Sequence, residues 1–143
     1  MASYTATIPV EFPHPAHVVY EALCDLGRYP QWNTGMKSIS RTGRMQPGLR
    51  YTTVSDVLGR SNEAHIEVMQ MIPDKAIALE SSTGLIKFRA VFELAELAPN
   101  RCSVMCNLRF EFSHLIFNLA QPLVEAITEN RIRGDLETLR ASL

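Results

Sequence analysis

The sequence is poor in the residues and spacings that mark a reaction centre. Its three cysteines, Cys24, Cys102 and Cys106, are an odd count without a metal-ligand partner set. Cys102 and Cys106 stand at strand spacing on one apolar face, which suits buried, reduced thiols in a cytoplasmic protein. The four histidines, His14, His17, His65 and His114, are scattered and never reach His-Glu-x-x-His spacing. A Gly-x-Ser-x-Gly elbow and a phosphate-cradling glycine loop are both missing. No metal, no cofactor and no catalytic residue is therefore expected.

A charge excess is missing too. Fourteen Lys and Arg stand against fifteen Asp and Glu, and the net charge of −1 argues against a dedicated nucleic-acid binder. The uncharged run near the last helix, Phe112 to Val124, is too short to cross a bilayer and contains Pro122. The N-terminus lacks the basic-then-apolar order of a signal peptide. A cytoplasmic location without a membrane span is the expectation.

What is present is the ordinary composition of a folded domain. The 143 residues are 46% hydrophobic and 20% charged, enough for one domain, 1–143, with a sizeable core. Charge is unevenly spread. Between Leu26 and Asn62 lie Arg28, Lys37, Arg41, Arg44, Arg50 and Arg60 against a single acid, Asp56. These are either solvated loop charges balanced by acids from elsewhere, or a basic rim. In the second case Arg28, Arg41, Arg44 and Arg50 would meet an anionic head group or a membrane surface.

The last thirty residues read as one long amphipathic helix. Ser113 can cap it, and Phe112 can staple to Phe117. Leu115, Leu119, Leu123 and Ile127 form one i+4 ladder. Ile116, Ala120, Val124, Thr128, Ile132 and Leu136 form another beside it. The stripe drifts round the axis, which suits a helix laid diagonally across a curved sheet. Pro122 predicts a kink or a restart.

Most of what precedes reads as that sheet. Tyr4, Ala6, Ile8, Val10 and Phe12 alternate with polar neighbours as a half-buried strand, with Pro9 outward on an edge or bulge. Pro15 opens a helix that runs to about Cys24, and 25–32 turns into a second short helical segment carrying Tyr29 and Trp32. Strands then follow at closely spaced turns, as in an antiparallel meander. Phe88, Ala90, Phe92 and Leu94 form one greasy face, and Cys102, Val104, Cys106, Leu108, Phe110 and Phe112 another. For the hairpin of 49–58 and 62–72, turning about Gly59-Arg60-Ser61, a register pairing Val57 with Ala64 is expected. It turns Tyr51, Thr53, Ser55, Val57, Ala64, Ile66, Val68 and Gln70 inward. A shift by one would bury Asp56, His65 and Glu67, at a far higher cost. In the expected register His65 could pair with Asp56, but on the outer face, where such a pair does no general-base work.

The order of strand, short helix pair, six-strand meander and long C-terminal helix resembles the START-like superfamily. That superfamily includes the plant pollen-allergen fold and the bacterial polyketide cyclase/dehydrase and lipid-transport family. The residues that carry the resemblance are Ile8 with Pro13-His14-Pro15-Ala16-His17-Val18-Val19-Tyr20, then Asp25-Leu26-Gly27-Arg28-Tyr29-Pro30-Gln31-Trp32. The turn Pro47-Gly48, and Leu136 and Leu139 near the end, complete them. The resemblance implies an α+β helix-grip fold, a curved seven-stranded antiparallel sheet wrapped around the C-terminal helix. It also implies an apolar cavity between the two.

Two functions fit this reading. One is binding, or transport, of a small hydrophobic molecule such as a lipid or polyketide, without chemistry. Trp32, Tyr51, Thr53, Ser55, Gln70, Phe88, Phe92, Phe110 and Leu123 are the expected lining. The other is a cyclase, aromatase or dehydratase using the same cavity, for which an inward acid or base would be needed. A filled core would leave only an interaction module.

Overall fold

The computed structural model describes residues 2–57, 60–83, 87–112 and 129–143. Seven antiparallel strands form one curled sheet in the order β1-β7-β6-β5-β4-β3-β2. They are β1 (Ala2–Phe12), β2 (Met36–Ile39), β3 (Arg50–Val57), β4 (Arg60–Ile72), β5 (Ala76–Thr83), β6 (Lys87–Ala98) and β7 (Arg101–Phe112). Helices α1 (Ala16–Cys24) and α2 (Tyr29–Trp32), with a 3-10 turn at Leu26–Arg28, join β1 to β2. Residues 129–142 form α3. The arrangement is the helix-grip fold.

Each element follows from local chemistry. In β1 the even residues Ala6, Ile8, Val10 and Phe12 are buried while the odd ones face water. Pro9 has no N–H to give, and the edge position of β1 tolerates that loss. Pro15 caps α1, which buries Val19, Tyr20, Ala22, Leu23 and Cys24. The connector after α1 is held by backbone bonds from Leu26 N to Gly43 O (2.9 Å) and from Met45 N to Cys24 O (2.8 Å). Gly48 sits at φ +83°, where a side chain would be strained, and lets the chain turn from Pro47 into β3.

β1 pairs with β7 without interruption from Ala2↔Phe112 to Phe12↔Cys102, and β6 pairs with β7 from Lys87↔Glu111 to Glu96↔Cys102. The other half is less regular. Tyr51 lies opposite Ile66 and Val57 opposite Arg60, so the register is displaced from the expected Val57–Ala64 pairing by four residues. Only two residues separate the paired ends Val57 and Arg60, a tighter connection than Gly59-Arg60-Ser61 implied. A displacement by an even number preserves faces, so Tyr51, Thr53, Ala64, Ile66 and Val68 are still buried and Asp56, His65 and Glu63 still point out. The pairing of β4 with β5 breaks twice, at His65/Ile66 and at Val68/Gln70. β5 runs on through Ser81-Ser82-Thr83, read above as turn residues.

The helix α3 crosses the inner face. Leu136 and Leu139 are fully buried in the same core as Ile8, Phe12, Leu23 and Val104, with Ile132 packed against it. Four ties fix it. Glu129 accepts from the Tyr4 hydroxyl (3.1 Å), and Arg140 donates to the Glu11 carbonyl (3.1 Å). Arg131 donates to the Asp56 carbonyl (3.4 Å), and Asp135 holds Thr34. The guanidinium of Arg131 lies over Gly35, where any Cβ would collide with it. The expectations for Ser113, Pro122 and the upper ladders fall outside the described residues.

Candidate ligand-binding site

The inner face has a greasy side and a hydroxyl-bearing side. On β6 and β7, Phe88 lies opposite Phe110, Ala90 opposite Leu108 and Phe92 opposite Cys106. The rings of Phe88 and Phe110 form a tilted pair with centroids 6.3 Å apart. On β3, Tyr51 and Thr53 are buried and Ser55 is half-buried on the same face. Ser81 of β5, opposite Ile66, adds a further buried hydroxyl, which accepts from the Phe88 N–H at 2.9 Å.

The aromatic pair in α2 packs inside. Trp32 and Tyr29 are each 4% exposed with ring centroids 4.8 Å apart, and the Tyr29 hydroxyl donates to the Leu23 carbonyl at 2.7 Å. Burial lifts the Tyr29 phenol well above its ordinary value, and Tyr51, Cys24 and Cys106 nearby push the same way. Tyr29 therefore packs into the core beside α1. Burial also raises the Tyr51 phenol, and raises the Cys106 thiol to about 12. These groups stay neutral across the physiological range and supply no nucleophile.

Of the expected lining, Trp32, Tyr51, Thr53 and Phe92 are buried, and Ser55, Phe88 and Phe110 are half-buried. Gln70 is a correction. The bulge between Val68 and Gln70 breaks the alternation, so Gln70 is exposed, opposite Ala78 on the outer side. Leu123 lies outside the described residues. The His65–Asp56 pairing does not form. His65 lies opposite Thr52 and 3.4 Å from Glu63, while Asp56 pairs with Lys37 at 3.0 Å. Three arginines of the supposed rim have carboxylate partners: Arg28 with Asp25 (3.7 Å), Arg44 with Glu21 (3.0 Å) and Arg50 with Glu67 (2.9 Å). Such pairing favours the reading of these charges as solvated and balanced. Arg41 is exposed.

One residue of consequence was not singled out in the sequence. Asp135 on α3 is 2% exposed, and its Oδ1 accepts from both the Thr34 N–H (3.2 Å) and the Thr34 hydroxyl (2.9 Å). Its Oδ2 is buried without a partner, as is the Trp32 Nε1–H. Burial raises the Asp135 pKa, against smaller opposing effects from Thr34 and Arg131. Asp135 is therefore a buried carboxyl held by Thr34. The signal was available: position 135 lies three after Ile132 and four before Leu139, on the apolar stripe.

A wide groove of about 1020 Å³ runs along the sheet, with Arg50, His65, Glu67, Glu80, Arg89 and Arg109 among its walls. Tyr51, Ile66, Ser81 and Phe88 border it between these residues in the strands. Its charges neutralise each other, Arg50 on Glu67 (2.9 Å) and Arg89 on Glu80 (3.0 Å), so it is not the apolar pocket sought. Among the described residues, no group of His, Cys, Asp and Glu could hold a metal ion, and no helix is long and apolar enough to cross a membrane.

With this geometry in place, the comparisons are decisive for family. The family model for polyketide cyclase/dehydrase and lipid transport matches residues 1–143. The chain belongs to that family. Solved structures agree in fold. TTHA0849 from Thermus thermophilus is 16% identical, with a TM-score of 0.83 over 96% of this chain and 95% of that one. The Zhui aromatase/cyclase from a Streptomyces species is 17% identical, with a TM-score of 0.82 over 99% and 93%. A START superfamily protein from Mycobacterium smegmatis is 20% identical, with a TM-score of 0.71 over 94% and 98%. No relative was found among the curated proteins. Polyketide cyclase/dehydrase family membership and the shared fold fit hydrophobic ligand binding or cyclase-type chemistry, and at these identities the neighbours speak for fold alone.

Proposed function

We propose that the protein binds one small hydrophobic molecule, of lipid or polyketide type, between the inner face of the sheet and the C-terminal helix. The observation that carries this reading is the composition of that face. Phe88, Phe92 and Phe110 offer apolar surface on β6 and β7, while Thr53 and Ser55 on β3 offer a few hydrogen bonds to orient a polar end. An apolar pocket with sparse, fixed polar groups is what selects such ligands. Trp32, Tyr51 and Leu123 complete the proposed lining. The test is binding of N-phenyl-naphthylamine, read by probe emission and by Trp32 fluorescence. Ala90 stands between Phe88 and Phe92 on β6, so Ala90→Phe should lower probe affinity while the fold survives. A probe that ignores the protein would leave a filled core and an interaction module.

A second reading has one observation in its favour. Asp135 is an interior carboxyl that holds its proton to higher pH than an ordinary aspartate, as a general acid must. A cyclase or dehydratase would use it to move protons on a bound poly-ketone. Conversion of a poly-ketone substrate that Asp135→Asn abolishes, with ligand affinity retained, would establish this reading over simple carriage.

A further inference from the structure

The registers set five charged residues in one line across the sheet. Arg109 of β7 lies opposite Arg89, Arg89 opposite Glu80, Glu80 opposite Glu67, and Glu67 opposite Arg50 of β3. All of them border the wide groove of about 1020 Å³. Neighbouring strands lie about 4.8 Å apart, so side chains facing each other across a pair interact. The signs along the line run in blocks: plus, plus, minus, minus, plus. Alternating signs would have neutralised every neighbour. Blocks set like against like at Arg109–Arg89 and at Glu80–Glu67, an arrangement that destabilises a sheet. The pairing of β4 with β5 is irregular on both sides of Glu67, at His65/Ile66 and at Val68/Gln70, and such bulges bend a strand beside the groove.

The two like pairs are not relieved equally. Each glutamate has an arginine of its own, for Glu80 accepts from Arg89 at 3.0 Å and Glu67 from Arg50 at 2.9 Å. Beyond these two neutral pairs, the β6–β7 end keeps a surplus. The carboxylate nearest Arg109 is Glu111, at 3.8 Å, too long for a hydrogen bond. Glu111 also lies opposite Lys87, which makes no ion pair among the described residues. One acid therefore answers two cations, and one positive charge is left over. Arg89 gives a single nitrogen to Glu80, so the rest of its guanidinium donors remain for another partner. Arg89 and Arg109 are 51% and 61% exposed, open to a ligand entering the groove.

We propose that Lys87, Arg89 and Arg109 form a second binding site, distinct from the apolar lining, that takes a small organic phosphate: a phosphate monoester on a polar body. A dianion between the two guanidiniums removes their repulsion, and its terminal oxygens accept from both of them and from the Lys87 ammonium. A carboxylate has one charge and two oxygens, enough for one guanidinium and not for three cations. The groove is also far larger than a phosphate. It stands at the upper end of small-molecule sites, which run to roughly 1,000 Å³. Towards β3 it is bordered by Ser40, Thr52 and His65, whose hydroxyls and ring nitrogens suit a polar body.

The test titrates ribose 5-phosphate, inorganic phosphate and ribose into the protein at low salt, followed by calorimetry. Ribose 5-phosphate should bind tightest, inorganic phosphate more weakly, and ribose not at all. Arg109→Gln should weaken ribose 5-phosphate about tenfold. Arg133→Gln removes the same charge from an exposed position on α3 and should leave that affinity unchanged. Thermal melts give an independent reading. Ribose 5-phosphate should raise the Tm of the native chain by mass action, and much less that of Arg109→Gln. Without ligand, Arg109→Gln should melt no lower than the native chain, because it relieves the like pair. Equal losses in Arg109→Gln and Arg133→Gln would reduce the effect to net charge and overturn the site. Equal affinity for inorganic phosphate and ribose 5-phosphate would overturn the polar body. Phosphatidylcholine vesicles with and without phosphatidic acid separate the source of the phosphate. Binding to the phosphatidic acid vesicles with none to ribose 5-phosphate would overturn the soluble ligand and give the arginines to a membrane surface.

Discussion

The two halves of the sheet obey different rules. In the half made of β1, β7 and β6, eleven consecutive pairs join β1 to β7, and a single irregularity, after Glu96, interrupts β6 against β7. In the half made of β3, β4 and β5, the register is displaced from the one the pattern suggested, and two irregularities interrupt β4 against β5. Alternation with period two decides which face a residue takes. It does not decide which residue lies opposite, because sliding a strand by an even number leaves every face unchanged. Turn length and bulges decide that. The regular half supplies the apolar wall, and the irregular half carries the hydroxyls.

The contrast can be broken at its strongest point first. Val104, fully buried in β7, stands in the regular half. Val104→Asp should cost about 4 kcal/mol or more, enough to unfold the domain, because the new carboxylate has no partner. Loss of the cooperative urea transition would be the readout.

A smaller effect belongs to Asp135. Its folded pKa lies above the unfolded value of 3.8, so the folded chain holds that proton more tightly. Stability from this group is greatest below 3.8 and declines as pH rises through the raised folded value. Asparagine does not titrate. The stability of Asp135→Asn relative to the native chain should therefore increase as pH rises across that window, in urea melts at a series of pH values. A flat difference would mean the carboxyl is hydrated.

The smallest effect is the most informative about register. Gln70→Leu should change stability by no more than about 0.5 kcal/mol, because the side chain is exposed. Had strict alternation continued past Val68, the same substitution would fill an interior polar position and stabilise clearly. Thermal melts of the two proteins decide between these.

Much of the fold was legible because its signals are strictly local. Phe88, Ala90, Phe92 and Leu94 declare their face by alternation alone, and Pro15 and Pro47-Gly48 declare a helix start and a turn. The misplacement of Gln70 has a different origin. A bulge is one residue inserted against a partner strand, and nothing in Val68-Met69-Gln70 announces it. The connection between Val57 and Arg60 was read one residue too long, since Gly59-Arg60-Ser61 looks like a turn on composition. Asp135 was legible and passed over, because the i+4 ladder through Ile132 and Leu136 draws attention from the acid between them. Its pairing with Thr34, a hundred residues away in the chain, has no local signal at all.

The central claim is that a small apolar molecule occupies the space between sheet and helix. Native mass spectrometry of the protein purified from its own host addresses it most directly. The account predicts a population heavier than the chain by the mass of one small hydrophobic compound, released on denaturation and missing from Ala90→Phe. A folded protein that always flies at the bare mass of the chain, and takes up no apolar probe afterwards, would contradict it.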